Sequence, residues 1–179
     1  MAPPSDAFRD DDPEITGLVS RARLGEICTD LRRAGKRIVF TNGCFDLVHP
    51  GHVLYLAEAA ALGDVLVVGL NSDLSTHALK GPNRPVVDER GRAIVLLGLR
   101  SVAFVSVFDE PTPLELIRVV RPDILVKGGD YRSEEVVGRE VVEAHGGSVR
   151  IVPFHPGYSS SFLVRRIREG LAPDAAGQA

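Results

Sequence analysis

Short unbroken apolar runs that alternate with segments of helical period constrain the fold of this chain more than any other feature. Ile38-Val39-Phe40 and Val65-Leu66-Val67-Val68-Gly69-Leu70 have the form of strands buried on both faces of a parallel sheet. Between them, HVLYLAEAAALG places Val53, Leu56, Ala57 and Ala60 along one side, which predicts a helix that stops at Gly63. A helix over Ser20 to Ala34 precedes the first strand, because Leu24, Ile27 and Leu31 recur at helical spacing before Gly35. Beyond the second strand the same reading gives a helix from Glu89 to Leu99, a strand from Val102 to Phe108 and a helix from Pro113 to Val119. A strand at Ile124-Leu125-Val126, a helix from Ser133 to Ala144, a strand from Val149 to Phe154 and a helix from Ser160 to Glu169 complete the series. Five strands in such an alternation predict an α/β fold, a doubly wound five-stranded parallel sheet with helices on both faces.

A chain of 179 residues, 44% of them apolar, is of single-domain size and buries a core without disulfides. The expected domain runs over 16–170, between tails at 1–15 and 171–179 expected to be disordered. The formal net charge of −3 gives no overall attraction to nucleic acid or to an anionic membrane, so an anionic ligand must be held locally. Cys28 and Cys44 form no CxxC pair, which points to neither a disulfide framework nor a zinc site and suits a reducing cytoplasm. The opening MAPPSDAFRDDDPEI has neither the basic start nor the apolar centre of a signal peptide, and no apolar run reaches the roughly 20 residues of a membrane span. A cytoplasmic protein is the expectation.

In a sheet of this kind ligands bind outside the carboxyl ends of the strands. The first such loop reads Thr41-Asn42-Gly43-Cys44-Phe45-Asp46-Leu47-Val48-His49-Pro50-Gly51-His52. His49 and His52, separated by Pro-Gly at a helix entrance, face free N–H groups and a positive dipole end that attract phosphate. Two histidines that merely cap or pack a loop are the bland alternative, and the position after the first buried strand weighs against it. Gly51 lets a polyphosphate approach the backbone, and Pro50 sets the turn without losing a hydrogen bond. Lys80 opens KGPNRPVVD, a Pro- and Gly-rich stretch expected to be an irregular active-site loop after the second strand.

The string TNGCFDLVHPGH resembles the signature of the cytidylyltransferase-like branch of the HxGH nucleotidyltransferases. Asn71-Ser72-Asp73, Lys80-Gly81, Arg84-Pro85, Lys127-Gly128-Gly129-Asp130-Tyr131 and Gly157-Tyr158-Ser159-Ser160-Ser161 follow in the order of successive motifs of the heptose 1-phosphate adenylyltransferases of that branch. The likeness covers about Lys36 to Arg168. It implies His49, His52 and Lys80 as catalytic groups acting on the phosphates. It further implies nucleotide contacts from Thr41, Asn42, Gly43, Cys44, Phe45, Gly51, Arg92, Lys127, Gly128, Gly129, Asp130, Ser159, Ser160 and Ser161. Substrate contacts are implied for Asp46, Asn71 and Tyr131. Several of these have ordinary alternatives: Asn42 as a turn residue, Cys44 as a packed small side chain, Asp130 and Tyr131 as loop braces, Ser159 as an N-cap, and Arg84 or Arg90 in the place of Arg92.

Many cytidylyltransferases carry an arginine-containing motif before the final serines, whereas His155-Pro156-Gly157-Tyr158 stands here. That departure favours adenylyl transfer from ATP to a sugar 1-phosphate, with D-glycero-D-manno-heptose 1-phosphate as the implied acceptor. The alternative is cytidylyl transfer to glycerol phosphate or an amino-alcohol phosphate. A Mg2+ ion bound mainly through the nucleotide phosphates and a homodimer are also implied, and no residue is singled out as a metal ligand. A Rossmann dehydrogenase is disfavoured because the first βα loop lacks GxGxxG, and a passive nucleotide-binding module because the histidine pair is aimed at phosphate.

Overall fold

The computed structural model describes residues 15–129, 135–153 and 157–169. Asp130, Tyr131, the expected start of a helix at Ser133, the His155-Pro156 pair and the two expected tails, apart from Ile15, lie outside them. The order of elements is α1 (Arg21–Arg33), β1 (Ile38–Gly43), α2 (Pro50–Ala60), β2 (Val65–Asn71), α3 (Asp73–Lys80), α4 (Glu89–Leu97), β3 (Phe104–Phe108), α5 (Leu114–Val120), β4 (Ile124–Gly128), α6 (Arg139–Glu143), β5 (Ser148–Val152) and α7 (Ser160–Arg168).

All five strands are parallel, in the order β3-β2-β1-β4-β5. β1 pairs with β2 from Ile38↔Val65 to Gly43↔Leu70, and with β4 through Val39↔Ile124 and Phe40↔Leu125. The period of two along β1 splits its side chains between two cores. Val39 joins Leu66, Val68, Leu56 of α2 and Leu96 of α4 on one face. Ile38 and Phe40 join Leu24 of α1, Ile117 of α5 and Val142 of α6 on the other. Both faces are thus covered, as a wholly parallel sheet requires.

The structure differs from the sequence reading at four places that bear on the site. Thr41, Asn42 and Gly43 belong to β1 instead of a loop, because β2 extends the ladder beside them. Lys80 is the last residue of α3 instead of part of an irregular loop. The polar segment DLSTHALK hides this helix from a hydrophobicity reading, and Ser72 starts it by accepting the Ser75 N–H at 3.1 Å. Of the helix expected from Ser133 to Ala144, the described residues hold α6, which starts after Gly138, where φ is 90° and a side chain would meet Ile117 Cδ1 at 2.5 Å. Ile15, assigned to the tail, is buried in the core, and Leu18 bridges to Val105 in the outermost strand.

Candidate active site

The sheet order reverses between β1 and β4, because the crossover after β1 leads to β2 on one side and that after β3 to β4 on the other. The carboxyl ends of two diverging neighbours leave a crevice. Lys127 of β4 donates across it to Asn42 Oδ1 of β1 at 2.6 Å. Burial pulls the Lys127 ammonium down to about 8, with the nearby Cys44 acting in the opposite sense. Among the described residues that line the cleft no carboxylate stands opposite this ammonium.

His49 and His52 form one wall. His49 is the N-cap residue of α2, with Pro50 at the first helical position, yet its ring makes no capping hydrogen bond. The two imidazoles stack at 3.8 Å between centroids and 20° between planes, and the Phe45 ring meets His52 edge-on at 5.3 Å. Nδ1 of each is buried without a hydrogen-bond partner. Two stacked rings with idle nitrogens are not explained by capping. Burial lowers the pKa of His49, and it takes His52 to about 4, helped by the repulsion of a charged His49 and opposed by the Leu47 backbone. Both rings are neutral at pH 7. A side chain on Gly51 would lie 3.2 Å from the His49 ring and 3.1 Å from Tyr158 Cβ, so the bare backbone makes room for protein as much as for ligand. The N-terminal end of α2 therefore abuts the approach to α7, and Ser160 fastens the two by donating to the Leu47 carbonyl at 3.1 Å.

These features line a cleft of about 990 Å³ that gathers Asn42, His49, Gly51, His52, Lys80, Lys127, Gly128 and Ser159 to Ser161. Its described lining holds three basic side chains, Lys80, Lys127 and Arg165, and no Asp or Glu. Tyr55, Phe162 and Arg165 also line it, and the sequence reading missed all three. Tyr55 shares a 2.6 Å hydrogen bond with the Thr41 hydroxyl and donates to the Val126 carbonyl at 3.3 Å, which ties α2 to both strands of the crevice. Its place on α2 one turn after His52 was a signal available in the sequence, and so was the spacing of Arg165 four residues beyond Ser161.

Other expected site residues do not line the cleft. Asp46 is buried, accepts the N–H groups of Val86 and Val87 at 2.7 and 3.0 Å, and pairs with Arg84. Its carboxylate pins the Pro-rich stretch onto the first loop instead of facing solvent. Arg92 is fully buried, donates to the Cys44 carbonyl and pairs with Asp73 at 2.8 Å. It holds the first loop from behind, beside a smaller apolar hollow formed with Phe45, Val48 and Leu163. Asn71 is buried and donates to Ser75 Oγ at 2.8 Å, inside the β2–α3 turn. Thr41 meets the cleft through its hydrogen bond to Tyr55, and Gly43, Cys44, Phe45 and Gly129 are not among its lining residues.

Mg2+ prefers carboxylate and water oxygens. The described lining supplies cationic and imidazole nitrogen instead, and among the described residues no group of three or more His, Cys, Asp or Glu is disposed to hold a metal. The residues present do not fit a protein-held Mg2+. Among the described residues no helix is long and apolar enough to cross a membrane.

The family model described as cytidylyltransferase-like matches residues 40–166. The chain is 54% identical over 152 residues to the bifunctional protein HldE of Syntrophotalea carbinolica, covering 83% of this chain and 31% of that protein. It is 51% identical over 164 residues to that of Geotalea uraniireducens, covering 92% and 33%. The chain thus spans about a third of the length of the curated relatives it matches. Among solved structures, a lipopolysaccharide core biosynthesis protein of Thermoplasma volcanium superposes with TM-score 0.56 at 32% identity, covering 68% of this chain and 98% of that one. A pantoate-β-alanine ligase of Francisella tularensis, at 15% identity and TM-score 0.57 over 90% and 81% of the two chains, shares the fold. With its switch-point cleft, its stacked histidine pair and a family match over most of its length, the chain belongs to the cytidylyltransferase-like family of nucleotidyltransferase fold.

Proposed function

We propose that the protein transfers AMP from ATP to a sugar 1-phosphate, D-glycero-D-manno-heptose 1-phosphate in the first place, and releases pyrophosphate. One observation carries this reading: a cleft at the switch point where a stacked neutral histidine pair stands among three basic side chains and the described lining holds no carboxylate. Such a lining suits two polyanions brought together. Relatives about half identical in sequence that are bifunctional HldE proteins support the sugar-phosphate reading over cytidylyl transfer to glycerol phosphate or an amino-alcohol phosphate. The unit that acts is 16–170 together with Ile15, which packs in its core, in a cytoplasmic protein that engages neither nucleic acid nor membrane. A homodimer is carried over from the family resemblance alone.

The acceptor phosphate is already ionised at neutral pH, so it attacks the α-phosphorus without a strong general base. The protein then has to align attacking and leaving oxygens and to meet the charge that grows on the pyrophosphate. A neutral His52 ring adds no cation until the phosphates arrive, and a proton gained with them would give its unpartnered nitrogen an N–H to donate. Lys80, at the end of α3, and Lys127, on the floor of the crevice, offset the charge of the nucleotide. Asp46, Asn71 and Arg92 act through the loops they brace. A Mg2+ that entered with the nucleotide would offset part of the phosphate charge.

A screen of the purified chain tests the reading, with ATP, CTP, GTP and UTP each crossed against sugar 1-phosphates, glycerol phosphate and amino-alcohol phosphates while pyrophosphate is followed. Pyrophosphate from ATP and heptose 1-phosphate is expected. Release only from CTP with an alcohol phosphate would replace the proposal by its alternative.

A further inference from the structure

Phe45 stands in the first loop with φ 44°, in the left-handed region that a bulky side chain rarely enters. Arg121, the other described residue of this kind, caps the end of α5, an ordinary place for such a turn. Phe45 ends no helix. Its conformation is held on both sides by groups that do not line the cleft. Arg92 donates to the carbonyl of Cys44 before it. The carboxylate of Asp46 after it accepts the Val86 and Val87 N–H groups at 2.7 and 3.0 Å and pairs with Arg84. The α4 helix and the Pro-rich stretch thus impose a backbone that the loop would not adopt alone.

What the strain secures is the place of one ring. Phe45 is 6% exposed, and a side chain on Gly43 would lie 3.0 Å from its Cε2, so the end of β1 is bare where the ring passes. The ring meets His52 at 5.3 Å between centroids and 62° between planes, while His49 stacks on His52 at 3.8 Å. His52 therefore touches two rings, and its buried Nδ1 has no hydrogen-bond partner. On that side packing, not hydrogen bonding, sets the rotation of the imidazole. A group that meets developing charge must be held within a fraction of an ångström, since a displacement of about 1 Å costs on the order of 10²-fold in rate.

We propose that Phe45 is a positioning residue for the transfer: its ring, held by the strained loop, fixes the orientation of His52 and keeps that imidazole out of water. It acts through His52 and takes the place of the nucleotide contact that the motif resemblance implied for Phe45, which is not among the residues lining the cleft. The kinetic consequence rests on the nucleotidyl-transfer reading above, whereas the effect on the His52 ring does not.

Phe45→Leu, made in the full wild-type chain and again in His52→Asn, tests the assignment through kcat, KM and an NMR titration of the His52 ring. Leucine keeps apolar bulk and removes the aromatic contact. In the wild-type background kcat is expected to fall about tenfold with KM for ATP held within about twofold. The His52 titration, at about 4 before the substitution, should move toward the ordinary 6.5, because burial is its first cause. His49, Tyr55, Lys80, Lys127 and Arg165, which share the cleft with His52, and Asp46, Arg84 and Arg92 behind the loop are all retained, so no charge is added or removed. In His52→Asn the same substitution should change kcat by no more than about twofold, since a residue that acts through His52 has nothing left to act on. An equal fall in both backgrounds or an unmoved His52 titration would leave Phe45 as core packing alone, and a raised KM for ATP with kcat unchanged would make it a nucleotide contact; each overturns the assignment. Should Phe45→Leu fail to fold, Gly43→Ala, which keeps the ring and crowds its edge, is expected to lower kcat and move the His52 titration, and wild-type values of both would overturn the assignment equally. A His52 titration that moves in a chain that transfers no AMP would keep Phe45 in its place and remove the proposed activity instead.

Discussion

Lys127 and Asn42, 85 residues apart in the chain, join the two central strands by a 2.6 Å hydrogen bond at the point where the sheet reverses its order. An amide oxygen satisfies one proton of the ammonium but supplies no countercharge. The lysine is thus held ready, and no carboxylate among the described residues of the cleft offsets its charge.

Nucleotide binding should therefore depend on alkaline pH. The Lys127 value of about 8 in the free protein means that the ammonium is lost as pH rises through 8. A bound polyphosphate favours the charged form and draws the proton back, so association above pH 8 should take up a proton and weaken as pH increases. Calorimetry of ATP binding in buffers of different ionisation enthalpy reads the uptake directly. Lys127→Met should abolish it, and proton uptake that persists in this variant would assign it to another group.

His52→Asn should lower the single-turnover rate by about 10²–10³-fold, the usual cost of one preorganised donor at developing charge. The ring is stacked on His49 and Phe45 instead of standing free, so a stability loss of about 1 kcal/mol is expected with it. Rates and thermal unfolding measured on the same samples separate the two. A folded variant with near-normal turnover would return His52 to a packing role.

Acid should destabilise the protein through the same pair. His52 has a folded value of about 4 against an ordinary 6.5, and His49 is displaced in the same direction. Between those values the unfolded chain binds protons that the folded one refuses, so stability is present above pH 6.5 and is lost as pH falls toward 4. Urea unfolding across this window should show a shallower decline for His52→Asn than for wild type. Parallel curves would mean that other groups carry the acid sensitivity.

Arg92→Leu should act on the fold before it acts on binding. The substitution strips the Cys44 carbonyl of its donor and leaves Asp73, itself 42% exposed, to be solvated, at a cost of about 3 kcal/mol. Denaturant midpoints should shift strongly. An unchanged midpoint with a raised KM for ATP would instead place Arg92 against the nucleotide.

Much of this architecture is written in local patterns. The apolar runs of β1, β2 and β4 are each contained in a few consecutive residues, and the entrance to α2 is marked by Pro50 and Gly51 between two histidines. A parallel sheet buried on both faces leaves such runs no other use, so strand number and the position of the loop that carries the two histidines were legible without coordinates. What each polar side chain faces was not legible. Asp46 meets Val86 and Val87, Arg92 meets Cys44, and Tyr55 meets Thr41 and Val126 through contacts between separate elements, which no local period encodes. The α3 helix escaped because its turns are closed by Asn71, Ser72 and Ser75, polar residues that read as loop when burial is inferred from hydrophobicity. The sequence by itself determined where an anion could be met, through residue type and position after a strand. Only the tertiary structure decided which polar groups remain free to meet it, because a buried carboxylate or guanidinium must spend its hydrogen bonds on whatever the packing brings within reach.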